Sequence, residues 1–102
     1  MIKTTDIDIA EIRKHATKAA ELLKAMSNAN RLLILCHLGQ KEMSVSELNA
    51  QIDLSQSSLS QHLARLRTDG LVETRRESQT IFYRIANQST LTLIECLQQE
   101  FC

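Results

Sequence analysis

Apolar residues return every third or fourth position from Ile9 to Met26, at Ile9, Ile12, Ala16, Ala19, Leu23 and Met26, with charged residues on the other side. That period predicts an amphipathic helix with one face that must be covered. From Asn28 to Leu38 the run RLLILCHL is apolar almost all round, as expected of the central helix of a small core, and Gly39 is its stop. Ser44-Val45-Ser46-Glu47 has the serine and glutamate spacing of a capping box, so a short helix starts there and runs to about Ile52, before a tight turn at Asp53-Leu54. Ser55 is a good N-cap for the next helix, in which Leu59, Leu63 and Leu66 fall at i, i+4 and i+7, and Thr68-Asp69-Gly70 ends it. LVETRR and TIFYRIA then read as two strands around Glu77-Ser78-Gln79, with Ile81, Tyr83 and Ile85 on one strand face. A final amphipathic helix runs from about Ser89 to Phe101 through Leu91, Ile94 and Leu97.

The polar positions of the fourth helix are as informative as its leucines. At about 100° per residue, Ser57, Gln61, Ala64 and Arg65 point away from the leucine stripe, with Ser58 beside them. A short helix, a tight turn, a helix with polar N-terminal residues and then a basic hairpin describe, in that order, a winged helix-turn-helix. The expected fold class is therefore mainly α with a small β-hairpin, in one domain over residues 1–102. Such an arrangement suits DNA, because an α-helix fits the major groove with its N-terminal side chains near base edges, while the hairpin lies along a neighbouring backbone. Serine and glutamine hydrogen-bond to bases and phosphates as neutral donors and acceptors, and a helix N-terminus favours a phosphate. The candidate DNA-binding residues are Ser55, Gln56, Ser57, Ser58, Ser60, Gln61, His62 and Arg65 on the helix, with Arg75, Arg76 and Gln79 on the hairpin. A solvated helix face beside a structural hairpin is the plainer alternative; it explains the helix alone but not the order of elements.

Composition narrows the classes further. A chain of 102 residues, 43% hydrophobic, is just large enough for a single core and leaves little room for an enzyme cleft. No nucleophile and base stand at a suggestive spacing and no cofactor motif is present, so neither catalysis nor a cofactor is expected. The absence of proline and the presence of only two glycines favour helix and argue against phosphate-cradling glycine loops. The N-terminus lacks a signal-peptide apolar core, and no apolar run approaches the roughly 18 residues of a membrane span, so a cytoplasmic location is expected. Three cysteines, an odd number in a reducing compartment, make a structural disulfide framework unexpected.

The net charge of zero speaks against DNA binding until it is divided along the chain. Residues 1–54 carry seven basic and seven acidic side chains, whereas residues 55–84 carry five arginines against three acids, a net +2. Glu95 and Glu100 restore the balance after that. A two-fold dimer doubles the local excess and presents two helices to two half-sites, and the amphipathic first and last helices supply apolar surface for it.

The runs LLKAMSNANRLLILCHL and SVSELNAQIDLSQSSLSQHLARLRTDGLVETRRESQTIFYRI strongly resemble the ArsR/SmtB family of small dimeric winged-helix repressors, over residues 20–86. The resemblance implies a homodimer held by helices at about 8–26 and 88–101, a DNA-reading helix at about 55–67 and a wing at about 71–85. Metal-sensing relatives often carry Cys-x-Cys in the short helix, where this chain has Ser44-Val45-Ser46. Others place Asp, His and Glu ligands on the last helix, where Ser89 to Cys102 offers only Glu95 and Glu100, so no metal site is expected. Within the family the chain looks most like the branch that senses reactive sulfur or oxidants through paired thiols. Cys36 and Cys102 match the positions of that pair, which implies a redox-sensing dithiol that is oxidised or persulfidated; Cys96 is outside the pattern and reads as a packing residue or a bystander. Two other readings stay open: a metal-responsive repressor with ligands shared across the dimer, and a ligand-independent DNA-binding activator that displaces a silencing protein. Ser78 stands near a position where many family members have glycine, which leaves the turn type of the hairpin open.

Overall fold

The helices begin where a polar side chain takes the first unpaired backbone N–H groups. A computed structural model describes residues 8–101, with α1 at Ile9–Met26, α2 at Ala29–Leu38, α3 at Val45–Gln51, α4 at Gln56–Thr68 and α5 at Gln88–Phe101. Asn28 Oδ1 accepts from the N–H groups of Asn30 and Arg31 at 2.9 and 3.0 Å. The Ser44–Glu47 capping box closes in both directions: Ser44 Oγ accepts from Glu47 N at 3.2 Å and Glu47 Oε1 accepts from Ser44 N at 3.0 Å. Ser55 Oγ accepts from Ser58 N at 3.1 Å. Before α5 the cap is Asn87, whose Oδ1 accepts from the Thr90 N–H at 2.9 Å and from its hydroxyl at 2.8 Å.

The two glycines end their helices differently. Gly70 takes φ 80°, its N–H donates to Arg67 O and that of Leu71 to Leu66 O, which is the Schellman pattern of a left-handed C-terminal residue. Gly39 stops α2 with φ −64°, inside the right-handed region, so the left-handed cap expected of a terminal glycine is not used. Closeness matters there instead: a Cβ at Gly39 would stand 3.3 Å from Leu35 O and 3.6 Å from Ile94 Cγ2.

Three antiparallel strands, β1 at Met43–Ser44, β2 at Val72–Glu77 and β3 at Thr80–Ile85, form a sheet in the order β1-β3-β2. The predicted hairpin is present, with Val72 opposite Ile85, Arg76 opposite Ile81 and Glu77 opposite Thr80. β1 is a strand that the two-residue alternation did not reveal; it pairs Met43 with Tyr83 and Ser44 with Phe82. Met43, Val72, Tyr83 and Ile85 turn one face of the sheet toward the helices and join the core of Ile34, Leu35, Leu48, Leu59, Leu63, Leu66, Leu71 and Ile94.

Burial departs from the hydrophobic pattern in α1. Only Ala25 and Met26, at its C-terminal end, are buried, while Ile9, Ile12 and Leu23 are 73%, 43% and 55% exposed. Leu33 on α2 and Phe101 on α5 are also exposed, so α2 is not covered all round as its apolar run suggested. The principal extents of 50 × 28 × 21 Å reflect this elongated form. No helix of the described residues is long and apolar enough to cross a membrane.

Candidate nucleic-acid interface

The turn between α3 and α4 is fixed by short backbone and side-chain bonds. Ile52 N–H donates to Leu48 O at 2.9 Å, Leu54 N–H donates to Ile52 O at 2.9 Å, and Asn49 Nδ2 donates to Leu54 O at 2.7 Å. Asn49 escaped the sequence reading; an amide just before a predicted turn is the signal that marks it. Leu59, Leu63 and Leu66 then lock α4 into the core with no exposed surface.

That anchoring sets which side chains of α4 face outward. Ser55, Gln56, Ser57, Ser60, Gln61 and Arg65 are exposed, whereas Ser58 and His62 are half-buried. The helix thus offers hydroxyls and amides from its first two turns, next to backbone N–H groups at its positive end. Arg65 Nε donates to Asp69 Oδ2 at 2.8 Å, an i,i+4 pair that leaves the terminal guanidinium nitrogens available.

On the wing the arginines divide by strand face. Arg76 lies on the face of Val72 and Thr74, opposite Ile81, and its Nε donates to Ser78 O at 3.2 Å. Arg75 lies on the other face, 4.7 Å over the Phe82 ring, and donates to Glu42 and to Glu77 Oε2. Those hydrogen bonds, Glu42 first, push its pKa up, and reciprocally hold Glu42 below the usual carboxylate range. Arg84 on the same face donates to Glu73 at 2.8 Å. Gln79 is exposed in the loop and lines, with Ser46 and Ile81, an open groove of about 400 Å³ between the wing and the start of α3.

Away from this surface, half-buried Cys36 lines a largely apolar cavity of about 240 Å³ with Leu32, Leu97, Gln98 and Phe101. Cys102, its expected partner, lies outside the described residues, and Cys96 is exposed. Among the described residues no group of three or more His, Cys, Asp or Glu is placed to hold a metal ion.

Residues 28–74 match the bacterial regulatory protein, arsR family. The transcriptional activator HlyU of Vibrio cholerae is 48% identical over 101 residues, spanning 99% of this chain and 94% of the relative. The chain belongs to the ArsR family. A biofilm growth-associated repressor of Agrobacterium fabrum is 45% identical over 97 residues, covering 95% of this chain and 83% of the relative. Reduced HlyU from Vibrio cholerae superposes with a TM-score of 0.88 at 51% identity, over 92% of this chain and 99% of that one. The homodimeric winged helix-turn-helix DNA-binding domain of Mb0332 from Mycobacterium bovis superposes with a TM-score of 0.76 at 35% identity, over 84% and 82% of the two chains. As an ArsR-family chain it is a DNA-binding transcriptional regulator on a winged helix-turn-helix fold, in agreement with the order of elements along the sequence.

Proposed function

We propose that the chain is a cytoplasmic, homodimeric, sequence-specific repressor whose affinity for a double-stranded operator falls when Cys36 and Cys102 are oxidised or persulfidated. The observation that carries the DNA half is the exposed polar first half of α4, held by three fully buried leucines beside a wing. Ser57, Gln61 and Arg65 would reach base edges, Ser55, Gln56, Ser58, Ser60 and His62 would meet backbone or flanking bases, and Arg76 and Gln79 would extend the contact from the wing.

The thiol half is supported by the cavity around Cys36, which α5 closes with Leu97, Gln98 and Phe101, and Cys102 follows Phe101 in sequence. One cysteine thiolate attacks a polysulfide sulfur and expels a thiolate; the other then attacks that adduct and expels a second. The product joins α2 to the end of α5 through two sulfurs, or through a longer chain where sulfur is retained. A longer bridge relaxes the Cα separation below about 7 Å that a direct disulfide requires.

A duplex selected from a random-sequence pool by the reduced protein is the probe. Gel shift with protein reduced, or treated with an organic polysulfide, is expected to show binding only by the reduced form. Equal binding by both forms removes the switch. Peptide mass spectrometry is expected to show a cross-link between the Cys36 and Cys102 peptides; a cross-link confined to Cys96 removes the residue assignment. One observation favours a second reading of the direction of control, because the relative that is 48% identical is named a transcriptional activator. A promoter reporter with and without the gene separates repression from activation.

A further inference from the structure

We propose that the wing meets DNA through its Arg76 and Ile81 face alone, and that Arg75 is a positioning residue that braces β2 across Phe82 to Glu42. The inference rests on the DNA-binding reading above for its first half and on intramolecular geometry for its second. Strand alternation fixes the two faces. Val72, Thr74 and Arg76 on β2 stand opposite Ile85, Tyr83 and Ile81 on β3, and the inner part of that face is covered by the helices. Past the helices the same face continues to Arg76 and to Ile81, which is 44% exposed, so the tip projects on the side of the sheet that carries the helices, with the start of α3 next to it.

The opposite face is closed to phosphate by its own charges. Glu42, Glu73 and Glu77 outnumber Arg75 and Arg84 there, three against two. Arg75 is the centre of that group: its Nε donates to Glu42 Oε1 at 2.7 Å, its Nη1 to Glu77 Oε2 at 3.1 Å, and its guanidinium lies over Phe82. Because β3 lies between β2 and β1, this single side chain crosses the whole sheet, from the wing to the segment that enters the capping box of α3. Turning to a phosphate would break both carboxylate bonds and leave three acids facing the DNA. Arg75, expected from the sequence beside Arg76 as a contact, thus sets the angle of the wing, and Arg76 makes the contact.

Two measurements on the full chain test the two halves. Fluorescence anisotropy on the selected duplex gives the slope of log affinity against log salt, which changes by about 0.9 for each phosphate contact removed. Arg76→Gln is expected to reduce the slope by that amount per protomer, and Arg75→Gln to weaken binding with the slope unchanged. The reciprocal pair Glu42→Arg with Arg75→Glu is expected to recover part of the affinity lost in Arg75→Gln, since the bond to the β1 side is restored and that to Glu77 is not. A slope reduced by Arg75→Gln, or unchanged by Arg76→Gln, overturns the assignment of faces. In the free protein, amide hydrogen exchange across residues 72–85 is expected to quicken in Arg75→Gln and in Glu42→Gln but not in Arg76→Gln. Unchanged exchange in Arg75→Gln overturns the brace. A wild-type chain that binds no duplex overturns the DNA reading and the face assignment together, while the exchange comparison still decides the brace.

Discussion

Gly70 and Ser78 both hold positive φ, at 80° and 55°, and only Gly70 is suited to it. A Cβ at Gly70 meets nothing within 4 Å, so the left-handed backbone itself, which costs an L-residue roughly 1–2 kcal/mol, is the reason for glycine. Gly70→Ala is therefore expected to lower the unfolding free energy by about 1–2 kcal/mol in denaturant titration. Ser78 already bears such a cost at the wing tip. Ser78→Gly is expected to stabilise by less than about 1 kcal/mol, since glycine's extra chain entropy offsets part of the relief. Asn87 is the residue whose role the sequence hid. Its oxygen takes the Thr90 N–H and hydroxyl, and its Nδ2 donates to Gly70 O at 3.0 Å, joining the end of α4 to the start of α5. Asn87 and Ser89 are both cap formers, and local pattern placed the helix start at about Ser89. The choice is made by a carbonyl 17 residues earlier, which no local pattern contains. Asn87→Ala is expected to cost about 2 kcal/mol, because a cap is lost and the buried Thr90 hydroxyl loses its acceptor.

Elements were legible wherever one face is repeated often enough to be counted. The boundaries of α1 and α4 and the two strands of the hairpin follow from periods of 3.6 and 2 sustained over several repeats, and the capping box marks α3; the hairpin register does not, since Glu77, expected in the loop, pairs with Thr80 across a two-residue turn. β1 was not legible, because two residues show no alternation; Met43–Ser44 is a strand only because β3 is there to pair with it. The partition of the wing into an ion-paired face and an open face was also hidden, since the sequence presents Arg75 and Arg76 as one basic dipeptide. Acid should reveal the paired face. Glu42, bonded by Arg75, and Glu47, bonded by the Ser44 N–H, are both held below their ordinary 4.5. A carboxylate with a depressed folded pKa contributes stability that is full above its unfolded value and is lost as pH falls through the folded one. Glu42→Gln and Glu47→Gln are thus expected to be less stable than the parent near neutrality, with the difference closing as the pH is lowered through and below the carboxylate range. A difference that persists in acid would show packing rather than charge at work. On α4 the two faces separate the fold from the proposed readout. Leu63→Ala is expected to cost about 2–5 kcal/mol of stability, whereas Gln61→Ala is expected to leave the melting curve in place and weaken operator binding.

At the scale of the whole molecule, α1 is the part a single chain leaves unfinished. The radius of gyration is 15.5 Å, against about 13 Å for a compact chain of this length, and the apolar side chains of α1 project from the core. Ile9, Ile12 and Leu23 on α1 and Phe101 on α5 are exposed apolar side chains that the second copy of the proposed homodimer would cover, and the Mycobacterium bovis neighbour is described as homodimeric. Ile12 is 43% exposed in the single chain, so Ile12→Glu removes little from the protomer's own core. Sedimentation is expected to show that variant as a folded monomer, and gel shift to show its operator binding lost, because two half-sites need two α4 helices at fixed spacing. Gln61→Ala is expected to remain dimeric, which separates loss of contact from loss of symmetry. The proposed thiol switch belongs to this scale as well. A bridge from Cys36 to the end of α5 would pull on the helices that carry the apolar surface, and it does not touch α4. The polysulfide-treated protein is therefore expected to sediment as a dimer while its affinity for the operator falls, the two α4 helices having lost their spacing. Sedimentation of the treated form as a monomer would mean that release works by dissociation, and the half-site spacing account would then be wrong.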